Sequence, residues 1–428
     1  MQYDVSEYQL KNGGRGLIVN VSGAPVMSSQ FQFRAGNRYV LDYDNKSQTA
    51  HIMEHMAFGA SDGFASAHDY DAAFTKNGAM HNAYTDDISM VYEALCADFE
   101  WNRILNLQRY AICKPHFIQE DFVSEVGTVK SELTGYLSQA DRILWPKLAQ
   151  AMGEDTKTIQ EDLDSIANIT AEDIREHWRR THTGGNMRFV VAGNFDGRLG
   201  QLRDTLNSFE LGAGDRLPIA VDEMHSAPAF AIRRKDVPGI SLAISLVVPR
   251  KLSDNENEAM ALLNHILNGT LHSRIQGEAR RRGLLYYMWS QLNSFEHNSS
   301  WNFEAQVNAN NLTAVIELVR QEIERIRDGL IEDSELEEAK SYSLGRYQMG
   351  IQTVGQIANW LAERYFNDGV IGDFSAVPGR IKAITKEQII ETTRDFLRHD
   401  CWALGIYGST DKAMADQLYD RFNKLFRW

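Results

Sequence analysis

Thr49-Ala-His51-Ile-Met-Glu54-His55-Met-Ala-Phe-Gly59 is the stretch on which the reading of this 428-residue chain turns. At 3.6 residues per turn, His51 and His55 stand one turn apart on one helix face, so both imidazoles can reach a single tetrahedral metal. Glu54 stands beside His55, close enough to take a proton from a metal-bound water. The order is H-x-x-E-H, the inverse of the commoner zinc-protease pattern. Asp44 or Asn45 offers an N-cap, Gly59 a stop, and Ile52, Met53, Met56 and Ala57 an apolar stripe. The motif is therefore expected on an amphipathic helix.

Two histidines leave a catalytic zinc one protein ligand short, because such sites usually carry three plus a water. The candidate is Glu132, on a second predicted helix from Gln119 to Ala140, where Glu125 and Glu132 project from nearly one face. On spacing alone, a solvated helix face accounts for the two glutamates equally well. The composite signature is H-x-x-E-H, then 76 intervening residues, then Glu132, with Glu125 seven positions earlier. It resembles the insulinase and pitrilysin family, which includes the mitochondrial processing peptidase.

The resemblance implies that His51, His55 and Glu132 bind one zinc ion per chain, that Glu54 is the general base, and that Glu125 is a carboxylate orienting a ligand. The implied activity is that of a zinc-dependent endopeptidase, cleaving extended peptides or small unfolded polypeptides by Glu54-assisted attack of zinc-bound water. The alternative is a non-catalytic or peptide-binding subunit of a heterodimeric processing peptidase. Degenerate subunits lose the motif residues, which are intact here.

Around the motif, residues 8 to 34 alternate in the manner of strands and a hairpin, and a helix is expected near Ser66 to Lys76. Met80-His-Asn-Ala-Tyr-Thr85 then leads into the strand-like Ile88-Ser-Met-Val-Tyr92. The resemblance places Asn82, Ala83, Tyr84 and Thr85 on an edge strand that binds substrate main chain. Such a strand can hold any extended peptide through backbone hydrogen bonds. An ordinary edge strand fits the same pattern, and His81 is read as a loop histidine outside the metal constellation. Where many relatives carry Ala-Gly-x-x-x-Glu, this chain has Ala35-Gly-Asn-Arg-Tyr-Val40, a departure that lies outside the metal constellation and leaves room for altered substrate entry.

The chain also repeats itself. Ile169-Thr-Ala-Glu-Asp-Ile recurs as Ile384-Thr-Lys-Glu-Gln-Ile, each a capping-box-like helix start. Thr170 precedes Gly193 by 23 positions, as Thr385 precedes Gly408, and each glycine closes an apolar strand. The same comparison lays Ala261 to Gly269 over His51 to Gly59, putting Ala261 at the first ligand and Asn264 at the base. His265 alone survives, and the stretch Tyr342 to Tyr347 holds no carboxylate to stand in for Glu132.

Mixed strands and long helices suggest an α+β fold: two homologous domains, each a mostly antiparallel sheet with helices packed mainly on one face. The resemblance implies that a pseudo-twofold relates them. The expected boundaries are 1–208 for the zinc-binding domain, 209–228 for a Gly- and Pro-containing linker, and 229–428 for the copy without the metal site. The resemblance further implies an Arg and a Tyr from the second half near the zinc. Arg280 and Tyr287 have the expected spacing of seven, whereas matching Gly-Leu-x-Tyr selects Tyr286 instead.

Composition bounds the partners. A formal net charge of −14 disfavours nucleic acid, whose phosphates need a basic footprint, and mildly favours basic peptides. No apolar run is long enough to span a membrane, and no targeting pattern opens the chain, so a cytoplasmic protein is expected. Cys96, Cys113 and Cys401 are too few and scattered for a disulfide framework. Two domains where long relatives carry four imply a homodimer or a heterodimer with a related subunit.

Overall fold

The computed structural model describes residues 2–427, and the chain forms two compact units, each built on one sheet. In the first, β1 (Asp4–Gln9), β2 (Arg15–Asn20), β3 (Val26–Arg34), β4 (Met80–Thr85), β5 (Ser89–Ala97) and β6 (Arg188–Gly193) lie in the order β1-β2-β6-β3-β5-β4. Only β2 and β6 pair in parallel. In the second, β7 (Phe230–Arg233), β8 (Ile240–Val248), β9 (Leu285–Ser294), β10 (Ser299–Val307) and β11 (Trp402–Gly408) lie in the order β7-β11-β8-β10-β9. Here only β7 and β11 are parallel. The fold is α+β with two mostly antiparallel sheets.

Period-two alternation along β3 explains how the first sheet serves two layers. Met27, Phe31 and Phe33 enter a core shared with the helices Thr49–Met56, Trp101–Cys113, Gln119–Tyr136 and Ala171–Thr181. Ser29 points the same way and donates to Gln108 of that layer at 2.6 Å. Ser28, Gln30 and Gln32 face the other side, where Gln30 donates to Asn359 on the helix Val354–Asp368. That helix packs Ala358, Leu361, Ala362 and Tyr365 against Leu17, Val19, Val190 and Ala192. Helices thus crowd one face, and a single distant helix closes the other.

The second sheet is closed in the same way by Ala140–Ala151, whose Leu144 and Leu148 bury against Ala243, Val247, Ala403 and Tyr407. The compact units are therefore not consecutive halves of the chain. The first takes in Gly350–Gly372 and the second Leu137–Thr158, with the remaining division between Ile219 and Ala220, inside the expected linker. An amphipathic pattern says that a helix has an apolar stripe, but not which sheet the stripe will cover.

The repeated helix starts share their local chemistry. Thr170 and Asp173, like Thr385 and Gln388, form complete capping boxes, each satisfying otherwise orphaned N–H groups. Thr170→Ala should cost about 1 kcal/mol, measurable as a small decrease in the urea midpoint. The helix expected from Gln119 to Ala140 ends at Tyr136, and a new one starts at Ala140. All three cysteines are buried free thiols, and no helix among the described residues is long and apolar enough to cross a membrane.

Gly36 fixes the turn that follows β4. A Cβ there would lie 2.2 Å from the Asp86 carbonyl oxygen, so only glycine allows segment 35–40 to lie against 86–88. Gly36 N–H donates to Ile88 O at 3.0 Å, tying the Ala35–Val40 segment to the β4–β5 turn.

Candidate metal centre

The motif helix spans Thr49–Met56 and buries Thr49, Ala50, Ile52, Met53 and Met56. This burial fixes the roll of the helix and leaves His51, Glu54 and His55 on the half-buried side. Its N-cap is Gln48, not Asp44 or Asn45. Those residues lie in a separate short helix, Tyr43–Lys46, opened by Asp42 in the left-handed region at φ 58°. Short polar side chains near a helix start compete for backbone donors, and here two starts follow one another within seven residues, which composition does not separate.

The helix Gln119–Tyr136 anchors through Phe122, Val129 and Leu133 and brings Glu125 and Glu132 to the motif. Glu132 Oε2 lies 3.7 Å from His51 Nε2 and 3.6 Å from His55 Nε2. One ligand atom from each of these residues lies within 4.8 Å of the other two, and this is the sole such group among the described residues. Each has an outer partner. Glu125 Oε2 is 3.2 Å from His55 Nδ1, Gln48 Oε1 is 2.8 Å from His51 Nδ1, and Tyr136 donates its hydroxyl proton to Glu132 Oε1.

These partners bear on whether a metal fits. An amide oxygen and a carboxylate both accept, so each Nδ1 carries the proton and each Nε2 turns a lone pair inward. Two imidazole nitrogens and one carboxylate oxygen form a donor set suited to zinc. Burial, then the neighbouring His55, pushes the His51 pKa down to about 4, with Glu132 opposing. The neutral, metal-competent form of His51 is therefore the resting one at neutral pH.

Glu54 stands beside this set. Burial raises its pKa above the usual carboxylate range, with Glu132 adding to the rise while Thr85 and His55 offset part of it. Thr85 Oγ1 is buried and lies against the Glu54 carboxyl without a hydrogen bond of standard geometry. Thr85 ends β4, the edge strand of its sheet, in which Asn82, Ala83, Tyr84 and Thr85 pair inward with Glu93, Tyr92, Val91 and Met90. Ala83 and Thr85 turn to one face and the exposed Asn82 and Tyr84 to the other. His81 lies on this strand rather than in a loop, 3.1 Å from Asp71 Oδ1 and against Phe58 and Phe74. It is outside the metal group.

Arg280, Tyr286 and Tyr287 belong to the second unit. Arg280, on the helix Arg274–Arg281, lies over the Tyr286 ring at 4.8 Å and donates to Tyr286 O at 3.1 Å. Tyr286 and Tyr287 are successive residues of β9, so they point to opposite faces, and both are exposed. In the same unit the degenerate copy of the motif is filled: His265 stacks on Tyr342 at 3.9 Å, and Asn264 accepts from Trp301 Nε1 at 2.8 Å.

Sequence reasoning passed over Gln48 and Tyr136. Tyr136 was within reach, because it lies one turn from Glu132 on the same helix. Nothing marks Gln48, three residues outside the motif.

Sheet and helix layer thus bring the inverted H-x-x-E-H motif and Glu132 together as one group that could hold a metal ion. Residues 18–161 match the family model described as Insulinase (Peptidase family M16), and residues 168–342 match that of the Peptidase M16 inactive domain. The chain belongs to the insulinase-like peptidase family M16. Among solved structures it is similar to a protease from Helicobacter pylori, with a TM-score of 0.80 at 17% identity over 95% of this chain and 100% of that one. It is likewise similar to the peptidase M16 inactive domain from Pseudomonas fluorescens, with a TM-score of 0.81 at 19% identity over 95% and 98%. At these identities the likeness is one of fold. No curated protein matches the sequence.

Proposed function

We propose that the protein is a zinc-dependent endopeptidase acting on extended peptides or small unfolded polypeptides. The observation that carries this reading is the convergence of two inward Nε2 lone pairs and Glu132 Oε2, beside a desolvated Glu54. When bound, zinc supplies Lewis acidity to water and to the scissile carbonyl. Glu54 removes the proton from the attacking water and returns it to the leaving amine. A carboxylate held above its usual range suits both steps, being a stronger base and still able to give the proton back. The open edge of β4 receives the peptide main chain as an added strand, with Asn82 to Thr85 beside the reacting bond. Arg280 with Tyr286 or Tyr287 supports substrate and oxyanion on the family's pattern, and Arg280→Ala should then lower kcat more than it raises KM.

Metal analysis of purified protein, paired with cleavage of an unstructured peptide library with and without chelator, tests the reading. About one zinc per chain and chelator-sensitive cleavage, restored by zinc, are expected; a metal-replete preparation without zinc overturns it. The match of residues 168–342 to an inactive-domain model favours a second reading, a peptide-binding subunit that works beside a catalytic relative. Zinc with peptide binding but no cleavage would select it. Assembly as a homodimer or with a related subunit belongs to either reading and is read from the mass in solution.

A further inference from the structure

The three ligand side chains differ in what holds them from behind. His55 has a carboxylate, Glu125, against Nδ1; His51 has a neutral amide, Gln48, in the same place; Glu132 has the phenol of Tyr136 on the oxygen turned away from the histidines. We infer that Gln48 and Tyr136 are positioning residues of the metal centre, Gln48 fixing the tautomer and ring plane of His51, and Tyr136 the carboxylate plane of Glu132. The inference rests on the metal-binding reading above.

Gln48 is placed at some cost to the helix. It occupies the N-cap of the motif helix, where Ser, Thr, Asp or Asn would satisfy an orphan N–H, yet its side chain makes no cap bond. Instead it is turned to the side chain of His51, the third residue of that helix, and is 97% buried there. Buried amides are kept where their hydrogen bonds have a use, since an unpaired one is costly. The pairing leaves His51 one option: Nδ1–H donates to Oε1, and Nε2 keeps its lone pair for the metal.

A neutral partner at this place also has an electrostatic rationale. Glu54, Glu125 and Glu132 already bring three carboxylates to the motif, and a fourth behind His51 would add a further negative charge beside the base. An amide orients the ring without that charge. Tyr136 acts differently. A monodentate ligand carboxylate can rotate about its Cγ–Cδ bond, and a donor on Oε1 holds Oε2 toward the two Nε2 atoms. Phenol and ligand lie four residues apart on one helix, so the donor is carried by the same rigid element as the ligand.

Zinc affinity, measured by competition with a chromophoric chelator on the apo full-length chain, tests both assignments, with thermal unfolding of the apo forms as the fold control. Gln48→Leu and Tyr136→Phe should each weaken zinc binding by roughly 10- to 100-fold, as loss of an outer partner does elsewhere. Gln48→Glu keeps an acceptor at Nδ1 and should bind zinc at least as tightly as wild type. Cobalt substituted for zinc gives a second readout: the visible bands of Gln48→Leu should shift, while those of Gln48→Glu stay near wild type. Unchanged affinity in Gln48→Leu and Tyr136→Phe, with wild type binding zinc, overturns this inference alone. So does weakened binding that Gln48→Glu fails to restore in a folded protein, for the Gln48 half. Wild type that binds neither metal overturns the metal centre itself, and the positioning roles fall with it.

Discussion

Glu54→Gln should lower peptide hydrolysis by about 10²- to 10⁴-fold while zinc affinity stays within a small factor of wild type. Glutamine preserves volume and the contact with Thr85, so the motif helix and its buried face, Ile52, Met53 and Met56, are undisturbed. The ligand group comprises His51, His55 and Glu132 and does not include Glu54. What disappears is the group that takes and returns the proton. Because burial raises the Glu54 pKa above its ordinary value of 4.5, the base form is lost at a higher pH than for an exposed glutamate. On the proposed binding of peptide along the β4 edge, peptide affinity should persist in the variant. Equal turnover by wild type and variant on the same peptide would remove Glu54 from the mechanism.

How much of this centre could be read from sequence depends on how local each signal is. His51 and His55 are legible because a helix repeats its face every turn, and Glu125 and Glu132 because the family's spacing singles them out among many glutamates. The α+β architecture followed from alternating and helical periodicities. Gln48 was not legible, because no periodicity marks an orienting residue outside the motif and polar Asp44 and Asn45 competed for the same cap. Tyr286 and Tyr287 could not be separated, since a one-residue step along a strand exchanges its faces. The exchange of Leu137–Thr158 and Gly350–Gly372 between units was also hidden. It depends on which exposed apolar sheet face a helix meets, a tertiary choice without a local signature.

Lowering the pH from 7 to 5 should destabilise the first unit by about 2 kcal/mol through His177, with His182 adding in the same sense, two histidines that the chemistry does not use. His177 and His182 lie at the end of the helix Ala171–Thr181, each only 2% exposed. His177 Nε2 bonds the carbonyl of Ala35 at 2.9 Å, and its buried Nδ1 has no partner. His182 Nε2 lies 2.8 Å from the Tyr92 hydroxyl oxygen, and its ring stacks on Phe33 at 4.2 Å. Burial pushes the His177 pKa down from 6.5 to about 4, with Arg180 adding to the shift. Burial, then the charge of His177, holds His182 well below the same starting value.

The unfolded chain protonates both near pH 6.5, while the native state takes a proton on His177 only near pH 4 and holds His182 neutral well below the ordinary histidine value. Stability is therefore complete above 6.5 and falls below it for both, for His177 by about 1.4 kcal/mol per pH unit, or about 2 kcal/mol at pH 5. Glu54 acts in the opposite sense, because its raised pKa lets the native state bind a proton before the unfolded chain does. The histidine contribution is best isolated by difference. His177→Gln keeps an N–H donor for the Ala35 carbonyl and removes one titration, so the pH slope of urea-unfolding free energy between 6.5 and 5 should be shallower by about 1.4 kcal/mol per unit. A variant whose slope equals that of wild type would mean that His177 already carries its proton in the folded protein, or that its burial is relieved before the rest of the unit unfolds.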